Sequence, residues 1–396
     1  MKAEEIIHGE ATLIVPTYVR PPMVFARGEG CYLFDTDGKS YLDMAAGIAV
    51  MALGHSDPAW AAAVAAQAAE LTHLSNLYHS RPHVELAARL VAHSFADRVF
   101  FCNSGTEANE AAIKFARKWA RSEGEEGRTG ILAFEGSFHG RTVGALSATA
   151  KERYREPFGP LMPGVVFAPY NDLAATAEAL TPEVCAVLVE PIQGEGGVRT
   201  AEVGFLEGLR RLCDERNALL IMDEVQCGLG RTGTLWAHEA YGVTPDMMSV
   251  AKPLAGGLPI GATLVTERVA RVMEPGDHGS TFAAGPLVCR AALVVVERVD
   301  RPEFLAAVQA AGAHLRARLE GLRSERLVEV RGAGLLLGVE FREAVKPLIA
   351  AAAEEGVLLI NAGENVLRLC PPLIVTRAQL DRAVDVIGEC LEQLGW

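Results

Sequence analysis

Along the chain, short runs of apolar and β-branched residues alternate with longer stretches in which apolar residues recur every three to four positions. Alternation of this kind predicts a mostly parallel sheet covered by helices. The expected strands are Arg98–Cys102, Ile131–Phe134, Ala186–Glu190, Leu219–Asp223 and Met248–Ala251. Between the first two, Ala108, Ala111, Ala112, Phe115, Ala116 and Trp119 fall on one face of a helix running from Thr106 to Ala120.

The texture changes after Phe282. Long Ala/Leu/Arg/Glu helices lead into Leu327–Gly334 and Leu335–Phe341, read as a strand pair or one bulged strand, and then into a hairpin-like stretch from Val357 to Ile374. Thr376 and Gln379 form a capping box before a last helix that should bury Val384, Ile387, Leu391 and Leu394. Near the N-terminus, the segment from Tyr32 to Asp43 reads as a hairpin turning over Asp37-Gly38. The expected fold class is therefore α/β, with a large domain (51–284) built on the mostly parallel sheet and flanked by helices. A smaller α+β domain (285–396) follows it, and an N-terminal segment (1–50) packs against that smaller domain.

Composition narrows the function classes. A chain of 396 residues, 50% of them hydrophobic, can bury a large core. The formal net charge of -13 disfavours nucleic acid and anionic membrane as partners. No uninterrupted apolar run reaches spanning length; Arg290 and Glu297 interrupt the stretch around Leu293–Val296. Residues 1–5 carry no basic region followed by an apolar stretch, so a cytoplasmic protein is expected. The eight cysteines never approach Cys-x-x-Cys spacing and read as small core residues of a reducing compartment. His79 and His83 are four apart, but Pro82 between them argues against a shared helical face, and no metal site is expected.

Candidate chemistry collects where the strands end. Lys252 leaves the apolar run Met247–Ala251 and enters a turn rich in glycine, and Pro253 disfavours helical dihedrals at the lysine. An amine held on extended backbone suits a desolvated nucleophile, although a lone strand-end lysine is more often a solvated surface residue. Ser104-Gly105-Thr106 opens a helix, so the amides of Gly105 and Thr106 could hold a phosphate, or the turn could simply be a well-made cap. Asp223 ends an apolar strand and could keep a pyridine nitrogen protonated. Phe138 offers a flat stacking face, and Arg141 a guanidinium for a carboxylate. Each has an ordinary structural explanation. Together, a phosphate turn, a ring stacker, an acid for a ring nitrogen and a strand-end lysine specify pyridoxal 5'-phosphate.

The motifs Asn103-Ser104-Gly105-Thr106-Glu107-Ala108-Asn109-Glu110, Phe138-His139-Gly140-Arg141-Thr142, residues 190–197, Asp223-Glu224-Val225-Gln226, Lys252 and Gly279-Ser280-Thr281-Phe282 resemble those of the class III, fold-type I aminotransferases, over nearly the whole chain. The resemblance implies that Lys252 anchors the cofactor and carries the proton, that Asp223 pairs with the pyridine nitrogen, and that Gln226 reaches the ring hydroxyl. Phe138 and Val225 would sandwich the ring. Gly105 and Thr106 would take the phosphate, joined by Thr281 from the neighbouring subunit of a homodimer with shared active sites. Arg141, helped by Ser280, would bind the substrate α-carboxylate, Tyr18 would be a further substrate-binding residue, and Glu195 and Arg368 would form the pair that lets one pocket serve two substrates.

The implied reaction moves the ω-amino group of N2-acetyl-L-ornithine to 2-oxoglutarate, giving N-acetylglutamate 5-semialdehyde and glutamate in arginine biosynthesis. An acylated lysine, ornithine or 4-aminobutyrate is the alternative donor. An aminomutase or a non-catalytic cofactor-binding regulator would be the other uses of such a chain. Two departures from the family pattern stand out: Pro253 replaces the common glycine after the lysine, and Ala283-Ala284-Gly285-Pro286 replaces the usual Gly-Gly-Asn-Pro.

Overall fold

The computed structural model describes residues 1–396. Its centre is a seven-stranded sheet in the order Arg98–Cys102, Gly261–Val265, Met247–Val250, Leu219–Asp223, Val184–Val189, Gly130–Phe134, Val165–Ala168. Neighbouring strands run parallel except at Gly261–Val265, which is antiparallel to both its partners. Strands covered on both faces need no polar alternation, and every residue of the four strands Gly130–Phe134, Val184–Val189, Leu219–Asp223 and Met247–Val250 is buried. The helix Gly105–Ser122 packs its predicted stripe, Ala108 through Trp119, onto this sheet.

Parallel strands deliver their C-terminal ends to one edge, and register decides which side chains meet there. Asp223 pairs with Ser249, three residues before Lys252, and Met222 pairs with Val189, which immediately precedes Glu190. Cys102 pairs with Gly261 on the far side, which brings Asn103 to Thr106 to the same edge.

The second sheet is antiparallel, in the order Leu327–Ala333, Leu336–Phe341, Val366–Leu369, Ile360–Asn361. Leu327–Gly334 and Leu335–Phe341 are thus a strand pair. The stretch from Val357 to Ile374 is only partly a hairpin. Ile360–Asn361 folds back on Val366–Leu369, whereas Val357–Leu358 crosses to pair in parallel with Leu42 and Asp43 of the N-terminal sheet. Leu359, buried between them, marks the point where the chain changes sheets. The N-terminal hairpin turns where expected, with Gly38 at φ +85° and Asp35 Oδ1 accepting from the amides of Asp37 and Lys39.

Preceding it is a helix, Ala3–Leu13, none of whose residues is buried. The last helix, Arg377–Leu394, starts at the Thr376/Gln379 capping box and buries Val384, Ile387 and Leu391. Pro82 stands in the first turn of the helix Arg81–Ala92, so His79 precedes that helix and does not share a face with His83. No helix is long and apolar enough to cross a membrane.

Candidate active site

A cavity of about 240 Å³ opens at the strand ends. Its walls include Gly105, Thr106, Phe138, Arg141, Asp223, Val225, Gln226 and Lys252, all picked out from the sequence, together with Asn109, His139, Gly140 and Glu190. Lys252 sits in the turn after Val250, and burial lowers its pKa, partly countered by Glu195 and then reinforced by Arg368. A larger uncharged fraction is what a nucleophile and proton carrier requires.

Asp223, which also lines the cavity, is 3% exposed and is aimed by three donors. Asn109 Nδ2 and His139 Nδ1 each donate to Asp223 Oδ2 at 2.7 Å, and the Val225 amide donates to Asp223 Oδ1 at 3.0 Å. Asn109 is itself fixed by a second bond, to the carbonyl of His139 at 2.7 Å. A buried carboxylate held this tightly presents a fixed negative charge to whatever occupies the cavity. The adjacent Glu224 has a different role. Its carboxylate accepts from the amides of Ala237 and His238 at 2.6 and 2.8 Å and from the His238 ring at 2.7 Å, which ties down the following loop.

Gly105 and Thr106 begin the long helix, so their amides have no intrahelical acceptor. A Cβ at Gly105 would come within 2.6 Å of Val225 Cγ1, and one at Gly140, whose φ is +136°, would run into Thr106 Oγ1. Both glycines therefore keep backbone close to the cavity floor. Glu190, fully buried, accepts from the amide of Phe138 at 2.9 Å and from that of Gly194 at 3.2 Å. Burial, together with the charge of Asp223 and against the pull of His139, raises its pKa to about 7.

Arg368 does not line the cavity but is joined to it through Gln226; it is buried and fixed by four acceptors: Glu195 Oε1 at 2.5 Å, Gln226 Oε1 at 2.9 Å, and the carbonyls of Gly194 and Asn361, each at 3.2 Å. Gly338, opposite Arg368 in the small sheet, lets the loop after Glu190 come close, since a Cβ there would lie 2.9 Å from Val198 Cβ. Arg141 is exposed and lies over the Tyr154 ring. Ser280 is near the site without lining the cavity; its Oγ accepts from Asn103 Nδ2 at 2.8 Å. Tyr18 and Thr281 are both exposed and lie outside the cavity of their own chain.

Sequence reading gave no role to Asn109, His139, Glu190 or Tyr154. Asn109 did carry a signal: a polar side chain set inside an otherwise apolar helix stripe needs a buried partner.

Residues 14–391 match the family model described as Aminotransferase class-III, and the chain belongs to that family. It is 53% identical to the mitochondrial acetylornithine aminotransferase of Alnus glutinosa, over 99% of this chain and 88% of that protein. It is 45% identical to the acetylornithine aminotransferase of Caldanaerobacter subterraneus subsp. tengcongensis, over 97% and 98% of the two chains. Among solved structures, it superimposes on ornithine aminotransferase from Toxoplasma gondii ME49 with a TM-score of 0.96 at 32% identity, covering 100% of this chain and 96% of that one. N-acetylornithine aminotransferase from Stenotrophomonas maltophilia K279a gives 0.84 at 39% identity, covering 95% and 97%.

The protein is accordingly a pyridoxal-phosphate-dependent transaminase with the fold of the type I family. The residues present fit the cofactor. Residues with free helix-start amides line the cavity, two glycines keep backbone close to it, and a buried, oriented acid and a desolvated lysine line it as well.

Proposed function

We propose that the enzyme transfers the ω-amino group of N2-acetyl-L-ornithine to 2-oxoglutarate, giving N-acetylglutamate 5-semialdehyde and glutamate, the transamination step of arginine biosynthesis. The observation that carries this reading is the Glu195–Arg368 pair beside Lys252, which solves the problem posed by two dissimilar substrates. Near full-length identity of 45–53% to acetylornithine aminotransferases supports the choice of donor. The high structural similarity to an ornithine aminotransferase fits the same transfer of a terminal amine.

When bound, pyridoxal phosphate supplies an electron sink for the carbon that loses its proton. Lys252, whose amine burial keeps more often uncharged, would take up that proton and give it back within the site. Asp223, locked by Asn109, His139 and the Val225 amide, would hold the proton on the ring nitrogen. Of the residues lining the cavity, Phe138 and Val225 would confine the ring, Gln226 would reach its hydroxyl, and the free amides of Gly105 and Thr106 at the helix start would receive the phosphate.

Arg141, with Ser280, takes the α-carboxylate of acetylornithine at a distance from Lys252, so that the terminal amine is the end that reacts, and Tyr18 is a further substrate-binding residue. Glu195 meanwhile covers Arg368, which would otherwise attract the wrong end. For 2-oxoglutarate, Glu195 withdraws and Arg368 receives the carboxylate next to the reacting carbon.

The working enzyme is a homodimer in which Thr281 completes the neighbouring phosphate site. We divide each chain into an N-terminal segment (1–50), a cofactor-binding domain (51–284) and a small domain (285–396), the first joined to the last through the Val357–Leu358 strand. The cytoplasm suits eight cysteines that are all unpaired and buried.

The donor is tested by steady-state turnover of acetylornithine, acetyllysine, ornithine and 4-aminobutyrate, each with and without 2-oxoglutarate. The proposal requires acetylornithine to give the highest kcat/KM and no turnover without the acceptor. A higher kcat/KM for another amine reassigns the donor, and turnover without acceptor makes the enzyme a mutase.

A further inference from the structure

Rings hold the Arg141 side chain. Its guanidinium carbon lies 3.6 Å from the centroid of Tyr154 and 5.6 Å from that of Phe138. Tyr154 belongs to the short helix Glu152–Arg155 and is half-buried, whereas Arg141 is exposed. The Tyr154 ring stands edge-on to Phe138, with centroids 6.4 Å apart at 85°, and Arg153 Nη2 donates to its hydroxyl at 3.3 Å. Lys151, just ahead of this helix, donates to the carbonyl of Glu195 at 2.9 Å. One short segment thus touches the ring wall, the exposed arginine and the backbone of the Glu195 gate.

A long exposed side chain normally loses substantial rotamer freedom when it binds a ligand. A guanidinium held 3.6 Å over an aromatic face has already lost part of that freedom, yet the Arg141 side-chain N–H groups, which make no hydrogen bond within the chain, remain free for a bidentate carboxylate. The phenol ring is therefore placed to prepare Arg141 without competing for its donors.

We infer that Tyr154 is a specificity-determining, positioning residue: by stacking under Arg141 it sets how strongly the enzyme prefers amines that carry a remote carboxylate over the same amines without one. This rests on the reading of Arg141 as the group that binds the donor carboxylate.

The test compares acetylornithine with N-acetylputrescine, the same donor lacking the carboxylate, in single-turnover donor half-reactions of the holoenzyme. Tyr154→Ala should lower kcat/KM for acetylornithine about tenfold, through the half-saturating concentration, and leave that for N-acetylputrescine within about twofold. Tyr154→Phe, which keeps the ring, should recover most of the loss. In an Arg141→Ala background, Tyr154→Ala should add nothing further.

Equal losses on both donors, no loss on either, or an undiminished second loss in the Arg141→Ala background would overturn the inference. Tyr154→Leu, which keeps bulk without a π face, serves the same comparison if the alanine variant folds poorly. If the wild-type enzyme prefers another amine of the panel, the proposed donor is wrong. Tyr154 is then judged on that amine and its own decarboxylated counterpart.

Discussion

Arg368 meets Glu195 at 2.5 Å, but the two partners are not equivalent: the arginine side chain is 2% exposed and the glutamate 24%. Arg368 is also fixed by Gln226 and by the carbonyls of Gly194 and Asn361. The glutamate is the half that has room to leave. Unit charges 4 Å apart at an effective dielectric of about 20 attract by about 4 kcal/mol before desolvation is counted, enough to close the site and weak enough to exchange for a substrate carboxylate.

Glu195→Ala should raise reactivity toward glutamate relative to acetylornithine by about tenfold or more, because Arg368 is then permanently uncovered. Arg368→Ala should impair the 2-oxoglutarate half-reaction more than the acetylornithine one. Single-turnover spectra of the separate half-reactions decide it; equal losses in both halves for both variants would mean a static ion pair. The gate should also be insensitive to pH. Burial pushes the Glu195 carboxyl up, but Arg368 and then Lys252 bring it down to about 2. A carboxyl lowered in the folded state stabilises it above the ordinary glutamate value of about 4.3, and that contribution is lost only as pH falls through about 2. Between roughly pH 5 and 8, donor discrimination should therefore change no more in the wild type than in Glu195→Gln.

Asp223→Asn should cost about 10²–10³-fold in the rate of either half-reaction, as expected for loss of a preorganised charge at the reacting system. Unfolding midpoints should move far less, because an asparagine of nearly the same shape still fills the site. A wild-type rate in the purified variant would show that Asp223 does not act on the ring nitrogen.

Glu190 responds to pH in the opposite sense to Glu195. Its carboxyl is raised to about 7 by burial and by Asp223, despite His139. A raised carboxyl makes the folded state bind the extra proton, so stability is lost as pH rises from about 4.3 towards 7. Glu190→Gln removes that loss. In denaturant titrations without added cofactor, the variant should gain on the wild type between pH 5 and 8, by about 3 kcal/mol at most. A difference that is constant with pH would mean that Glu190 is ionised throughout.

Much of the site was legible because strand ends, glycine turns and helix starts are local features. Lys252 before Pro253, Asp223 closing an apolar strand and Gly105 opening a helix could all be read directly from their neighbours in sequence. The partners of these residues could not. Asn109 and His139 reach Asp223 across separations of 114 and 84 residues, and Lys151 reaches Glu195 across 44. Those meetings depend on sheet order and register, to which local pattern is blind. The same limit explains Val357–Leu358, whose apolar run fits a hairpin equally well but which completes the N-terminal sheet. The helix Ala3–Leu13 carries Ile6, Ile7 and Leu13 at helical spacing but buries none of them, so this short stripe has no core to mark.

Thr281 tests the shared site by subunit mixing. Chains carrying Lys252→Ala and chains carrying Thr281→Arg should each be nearly inactive as homodimers. In a mixed dimer one site collects both defects and the other neither, so up to about half of the wild-type activity should return to that species. Absence of recovery in purified heterodimers would mean that Thr281 serves its own chain or no site.

The most direct measurement follows the cofactor absorbance of purified holoenzyme through one complete cycle. Addition of acetylornithine alone should abolish the absorbance of the resting enzyme, and subsequent 2-oxoglutarate should restore it with one glutamate formed per site. Lys252→Ala should retain the cofactor through the contacts of Gly105, Thr106, Phe138 and Asp223, yet slow both changes by at least about 10²–10⁴-fold. An absorbance unaffected by acetylornithine, restoration without glutamate, or a Lys252→Ala enzyme that cycles at the wild-type rate would contradict transamination through this lysine.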